Sequence, residues 1–107
     1  MAYDMQLASR VREIFADGPP VLEKAMFGGL AFLVAGKIAV AASAQGGLLV
    51  RVGAARAEEI VRTTAARPMQ MGERIMRGWV LVDAEHVSSR QQLAEWIDVG
   101  IDSATSA

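Results

Sequence analysis

The sequence predicts an α+β domain in which an antiparallel meander sheet is flanked by helices. Two observations predict this class: amphipathic helical patterns open and close the chain, and short apolar runs separated by glycine-rich breaks lie between them. The breaks are too short for the crossovers that parallel strands require. The 107 residues fit one domain, 1–107, with the order helix, four strands, helix, one or two strands, helix.

The first helix is predicted over residues 4–17. Leu7, Val11 and Ile14 recur at helical spacing and form its apolar stripe. Asp4 is the expected N-cap, because its side chain can accept hydrogen bonds from the first backbone amides of the helix. A glycine-proline-proline sequence follows the stripe, and we expect the helix to end there.

Four short apolar runs predict the strands of the meander, which are residues 21–27, 29–35, 38–43 and 48–52. A two-residue turn at Ala35-Gly36 would set the register of the middle hairpin. The predicted cross-strand pairs are Val34 with Lys37, Leu33 with Ile38, Phe32 with Ala39 and Ala31 with Val40. Both faces are then largely apolar. One face should take helices, and the other either a second subunit or partner, or loops of the same chain.

The adjacent glycines Gly28 and Gly29 interrupt an apolar run. Glycine weakens a strand and packs no side chain, so the pair predicts a bulge, a bend, or close approach of another backbone. The spacing of a phosphate-binding loop is missing, and the pair leads into a strand rather than a helix. We interpret the glycines as structural.

The second half of the chain predicts two helices and a strand. A short helix is expected over 54–64, with Glu58 and Arg62 paired on its exposed face. An irregular methionine-rich stretch then leads to a strand at 79–82. The last helix starts at a serine-glutamine capping box that begins at Ser89, and an apolar stripe continues from there.

Composition excludes several classes of function. Eleven basic residues against twelve acidic ones give a net charge of −1, which argues against autonomous nucleic-acid binding. There is no cysteine, and His86, the single histidine, is expected in a solvated loop. We therefore predict no catalytic residue, no metal and no cofactor. The first residues carry an acid where a signal peptide would carry positive charge, and no apolar run approaches the roughly 20 residues of a membrane span, so a cytoplasmic location is expected.

Basic and apolar residues in or beside the strands remain as candidates for function. The candidate interaction surface comprises Lys24, Phe32, Arg51, Arg67, Met69, Met76 and Arg77. Arginine binds carboxylates and phosphates bidentately, and methionine adapts to varied partners. The arginines can equally be scattered surface charges, and the methionines can fill a core.

Two other functions compete with protein interaction. Direct nucleic-acid binding would use Lys24, Arg51, Arg67, Arg74 and Arg77. An enzyme or small-ligand binder would need a concave site with converging polar groups near Trp79.

Three segments carry a resemblance to a known family. They are Lys24-Ala25-Met26-Phe27-Gly28-Gly29-Leu30-Ala31-Phe32-Leu33-Val34, then Leu49-Val50-Arg51-Val52, then Arg67-Pro68-Met69 leading to Met76-Arg77-Gly78-Trp79-Val80. In this order and separation they resemble the N-terminal domain of the TfoX/Sxy family of competence regulators. The motif residues are Met26, Phe27, Gly28, Gly29, Gly78 and Trp79. Ile75 departs from the pattern, since proline is expected there in many relatives.

The resemblance implies an α+β domain similar in architecture to type III secretion chaperones, a fold that often forms homodimers. It also implies a protein partner, in particular a transcription regulator. In full-length members this domain precedes a C-terminal domain, and the whole protein resembles a transcriptional co-activator that acts with the cyclic-AMP receptor protein. We expect a stand-alone copy of the N-terminal domain that either keeps only the protein-interaction function or has acquired another function.

Overall fold

The computed structural model describes residues 3–18, 20–26, 28–44, 46–71 and 73–105. Within them lie three α-helices, one short 3₁₀ helix and one antiparallel six-stranded sheet. The elements are α1 Met5–Phe15, β1 Leu22–Met26, β2 Gly29–Val34, β3 Lys37–Ala42, β4 Leu48–Arg51, α2 Ala54–Thr63, β5 Arg67–Met71, β6 Arg74–Val82, the 3₁₀ helix Ala84–Val87 and α3 Arg90–Thr105. The strand order is β1-β2-β3-β4-β6-β5. The predicted α+β class and element order are confirmed.

Helix α1 begins where its cap predicts. The Asp4 carboxylate accepts hydrogen bonds from the backbone amides of Gln6 and Leu7, at 2.9 and 3.2 Å. The helix ends at Phe15, two residues before the predicted end. The Phe15 ring, which the predicted stripe omitted, stacks on Phe32 with 5.9 Å between centroids. This contact fixes α1 against one face of the sheet, called here the helix face.

The middle hairpin contains a β-bulge. The predicted pairs Val34 with Lys37 and Leu33 with Ile38 are confirmed. Beyond them the prediction is wrong by one residue, because Phe32 lies opposite Val40 and Ala31 lies opposite Ala41. Ala39 is the extra residue on β3, and it lies with Val40 in the cluster on the helix face.

Helix α3 packs closely over this bulge. The predicted capping box is present. The Gln92 backbone amide donates to Ser89 Oγ at 3.1 Å, and the Ser89 backbone amide donates to Gln92 Oε1 at 3.2 Å. Farther along, a Cβ on Gly100 would overlap the Ala39 carbonyl oxygen and lie 2.8 Å from Val40 Cγ1. Glycine at this position lets the helix approach the backbone of β3.

The β5–β6 hairpin covers the opposite face of the sheet, called here the hairpin face. Pro68 lies opposite Val80, but the next pair is Met69 with Met76, so β6 has extra residues around Gly78. Gly78 has a φ of +86°, a conformation that glycine adopts without strain. The strand bends at this bulge.

The small cavity beneath the hairpin shows how far it folds back. It is lined by Ala31, Ile38, Ala41, Leu49, Met69, Met76 and Trp79. In a flat sheet β5 would lie roughly 19 Å from β2, too far for these side chains to share one cavity. The hairpin therefore folds over the sheet, and the sheet residues Ala31, Ala41, Leu49 and Leu81 are at most 5% exposed. The sequence predicted that this face is covered either by a second subunit or partner or by loops of the same chain. A segment of the same chain, the β5–β6 hairpin, covers it.

The methionine-rich stretch is therefore ordered, and its prediction as irregular was wrong. Met69 and Met76 pair across the hairpin and pack against the sheet, although their spacing in the sequence matches no regular period. Pro68 is tolerated because β5 is an edge strand.

The two adjacent glycines have different reasons to be glycine. Gly28 has a φ of +74° in the turn before β2. A Cβ on Gly29 would overlap the Ala42 carbonyl oxygen of β3. The predicted close approach of another backbone is thus found at Gly29. Phe27, the motif residue before them, lies outside the described residues.

Candidate functional site

A groove of about 480 Å³ lies between α2 and the bent part of β6. Its lining residues are Ala54, Ala57, Glu58, Val61, Arg62, Pro68, Ile75, Met76, Arg77, Gly78 and Trp79. The walls are mainly apolar, with helix side chains on one side and hairpin side chains on the other. Ile75 is 59% exposed and Met76 and Trp79 are half-buried, so apolar surface is open to solvent here.

The β6 bulge positions both sides of the groove. The Gly78 carbonyl accepts hydrogen bonds from the amides of Val52 and Gly53, at 2.8 and 3.1 Å. These bonds tie the bulge to the residues immediately before α2. A Cβ on Gly78 would lie 3.3 Å from the Ala54 nitrogen, so a side chain would crowd the start of the helix. The motif glycine therefore has a structural role in forming the groove.

Three charged side chains line the groove at its exposed rim. Glu58 and Arg62 come from α2, and Arg77 comes from β6. Within the described part of the chain none of the three forms an ion pair, so the predicted pair between Glu58 and Arg62 is not made. The rim carries two positive charges and one negative charge that are available to a ligand.

Four predicted residues meet at this groove: Met76 and Arg77 from the interaction surface, and Gly78 and Trp79 from the motif. The other five members of the predicted surface lie elsewhere, and two of them are buried. Phe32 is fully buried against Phe15 on the helix face, so its assignment to an interaction surface was wrong. Met69 is 4% exposed because its side chain closes the hairpin face.

The remaining basic candidates are spread over the sheet. Arg67 donates two hydrogen bonds to the Asp83 carboxylate, at 2.8 and 3.1 Å, and this partner raises the pKa of Arg67. Lys24 is exposed on β1, and Arg51 on β4 lies opposite Trp79. Arg77 lines the groove, whereas Lys24, Arg51, Arg67 and Arg74 do not.

Sequence reasoning missed the groove's second wall. Residues 54, 57, 58, 61 and 62 share one side of α2 by helical spacing, which was the available signal. It was insufficient because the facing surface depends on the β6 bulge. Ile75, noted in the sequence as a departure from the family pattern, also lies in this lining.

The described residues contain no group of three or more His, Asp or Glu side chains arranged to hold a metal ion. His86 lies in the 3₁₀ helix with its Nε2 3.9 Å from Glu85 Oε1, and its side chain is 41% exposed. Among the helices described, none combines the length and apolar character needed to cross a membrane.

Comparison with family models gives a match to the TfoX N-terminal domain over residues 13–104. The match begins within α1 and ends within α3, so it includes the groove, both glycine motifs and the whole sheet. Searches of curated proteins and of solved structures give no match.

Proposed function

The chain belongs to the TfoX N-terminal domain family, and from this premise we propose that it is a non-enzymatic regulatory domain that binds another protein. The partner in this proposal is a transcription regulator of the competence type, and the chain acts as its co-regulator. The groove between α2 and β6 is the docking surface.

The exposed apolar surface of the groove is the observation that supports this proposal. Ile75 is 59% exposed and lies beside Met76 and Trp79 in the hairpin wall of the groove, and α2 forms the other wall. Clustered apolar exposure in a concave site is typical of interaction surfaces, and methionine and tryptophan are enriched at protein interfaces. Methionine also adapts its shape to a partner at small cost.

Small-ligand binding in the same groove is a second candidate. The site is concave and adjoins Trp79, where such a function would also need converging polar groups. Its charged groups are Glu58, Arg62 and Arg77, all exposed at the rim rather than buried and convergent. Small-ligand sites usually enclose their polar contacts, so the arrangement favours a macromolecular partner.

Affinity capture from the native cell tests the docking surface. Ile75→Asp replaces an exposed apolar side chain of the groove wall with a carboxylate and should reduce capture of a specific partner by at least roughly tenfold, because the apolar contact is lost and docking must desolvate the carboxylate. Leu22→Asp is the matched control, since Leu22 is 66% exposed on edge strand β1, outside the groove. Equal capture by the two variants contradicts the proposal.

Identification of the captured protein tests the co-regulator role. A transcription regulator is the expected result, and a metabolic enzyme would refute that part of the proposal. Sedimentation of the purified chain tests the homodimer, which stays a prediction. A dimer that persists in Ile75→Asp would place the self-contact outside the groove.

A further inference from the structure

The rim of the groove favours a ligand of opposite charge. Arg62 and Arg77 contribute two positive charges and Glu58 one negative charge, whereas the whole chain carries −1. These side chains are exposed and form no ion pair within the described residues. Guanidinium groups bind carboxylates through two parallel hydrogen bonds, so acidic side chains complement this rim.

The distribution of apolar and charged side chains in the groove indicates how a peptide could bind. Strand β6 pairs with β5 over residues 74–76 and with β4 over residues 79–82, and between these stretches the Gly78 carbonyl accepts hydrogen bonds from Val52 and Gly53. The apolar lining comes from α2 on one side and from the β5–β6 hairpin on the other, and the charged side chains lie at the rim. An amphipathic helix matches this arrangement, because its apolar face enters the groove while its polar residues meet the rim.

We propose that the groove binds an amphipathic helix of the partner protein. This inference rests on the proposed function and adds the chemistry of the occupant. Apolar residues spaced three or four apart enter beside Trp79 and contact Val61 and Ile75. Acidic residues flanking them pair with Arg62 and Arg77.

Selection from a displayed peptide library tests the occupant directly. The library consists of randomised peptides of about 16 residues, long enough to form a helix. It is selected against the wild-type chain and against the Arg62→Glu/Arg77→Glu double variant. Lys24→Glu is the control, because it reverses an exposed positive charge outside the groove lining.

The wild-type chain should enrich peptides with apolar residues at helical spacing and acidic flanks. Against the double variant the enriched flanks should become basic, and peptides from the first selection should bind at least roughly tenfold more weakly, since two attractive pairs become repulsive. Their binding to the Lys24→Glu chain should be unchanged. Ile75→Asp should remove binding of the selected peptides.

Several outcomes overturn this inference. They are no enrichment, enrichment of proline-rich or alternating extended sequences, flanks that stay acidic against the double variant, and binding that survives Ile75→Asp. A selection that fails while Ile75→Asp still abolishes capture of the cellular partner rejects the acidic helix but leaves the docking surface. If Ile75→Asp also leaves that capture unchanged, the proposed function fails as well. A groove occupied by a second copy, shown by a dimer that Ile75→Asp dissociates, also overturns the inference.

Discussion

The two faces of the sheet are covered in different ways. On the helix face, α1 and α3 pack on valine, leucine and phenylalanine side chains, and Gly100 brings α3 close to the backbone of β3. On the hairpin face, Met69, Met76 and Trp79 close over small and aliphatic side chains of the same sheet. The first cover consists of helices with their own caps, whereas the second is a strand pair bent at a bulge.

The difference indicates which side chains are rigidly packed and which can repack. Branched and aromatic side chains on the helix face have few rotamers, and the close contact at Gly100 allows little displacement. Methionine has three rotatable bonds and fills irregular space. The groove adjoins the adaptable side: Met76 and Trp79 belong both to the hairpin cover and to the groove lining. A partner bound there would contact residues that can repack.

Truncating the helix-face core should give the largest loss of stability. Phe32→Ala removes a fully buried ring that stacks on Phe15, so we expect the free energy of unfolding to fall by about 3–5 kcal/mol. Met69→Leu is the comparison on the hairpin face and should cost less than about 1.5 kcal/mol, since the volume is conserved. Urea unfolding measures both. A Met69→Leu chain that loses as much as Phe32→Ala would contradict the adaptable packing of the hairpin face.

Filling the close contact of α3 should have the next largest effect. In Gly100→Ala the new methyl group overlaps the Ala39 carbonyl oxygen. We expect the free energy of unfolding to fall by about 1–3 kcal/mol, even though alanine favours a helix over glycine by about 1 kcal/mol. In Gly18→Ala the nearest atom to the new Cβ is 3.7 Å away, so stability should change little. A Gly100→Ala chain as stable as wild type in urea would contradict the close packing.

A side chain at the β6 bulge should weaken both the hairpin cover and the groove. Gly78→Ala adds left-handed strain of about 1–2 kcal/mol and crowds the Ala54 nitrogen at 3.3 Å. Gly46→Ala is the comparison, since Gly46 has the same φ of +86° but a Cβ there meets nothing within 4 Å. Gly78→Ala should therefore be the less stable of the two in urea and should capture less partner. If the two variants behave alike, the contact at Ala54 has no effect.

The smallest effect concerns the link between α1 and edge strand β1. The Arg12 guanidinium donates two hydrogen bonds to the Glu23 carboxylate, at 2.7 and 2.8 Å, and holds the Glu23 pKa below its ordinary 4.5. A lowered folded pKa gives stability that is present above the unfolded value and is lost as the pH falls through the folded one. Both groups are partly exposed, so the contribution is small.

Comparison of the wild-type chain with Glu23→Gln at pH 7 and about pH 3 isolates this contribution. The urea midpoint of the wild-type chain should fall more on acidification than that of the variant. Equal shifts would show that the pair adds nothing to the pH dependence of stability.

The parts of the fold that could be predicted carry their own local signals. Asp4 and Ser89 mark helix starts through hydrogen bonds within a few residues, and Ala35-Gly36 sets the nearest strand pairs through one turn. The bulge at Ala39 could not be predicted, because it is adjusted to Gly100 on a helix far away in the sequence. A bulge shifts the pairing of two strands by one residue, so the strand register beyond it depends on such distant contacts.

In the candidate site, too, only the residues with a local sequence signal could be predicted. Met76, Gly78 and Trp79 were found because they form a contiguous motif. The α2 wall was missed, since its partner surface exists only after β6 bends at Gly78. Phe32 was assigned to the wrong surface because a strand with apolar residues on both faces reads as a continuous apolar run, and the sequence does not show which face receives the helices.

Site-specific photo-crosslinking in the native cell tests the docking groove most directly. A photoreactive amino acid is placed at Ile75 in the groove wall and, in a second chain, at Leu22 on edge strand β1, two apolar positions with similar exposure of 59% and 66%. We expect a discrete adduct with a partner protein from position 75 and none from position 22. No adduct from position 75, or the same adduct from both positions, would contradict the docking groove.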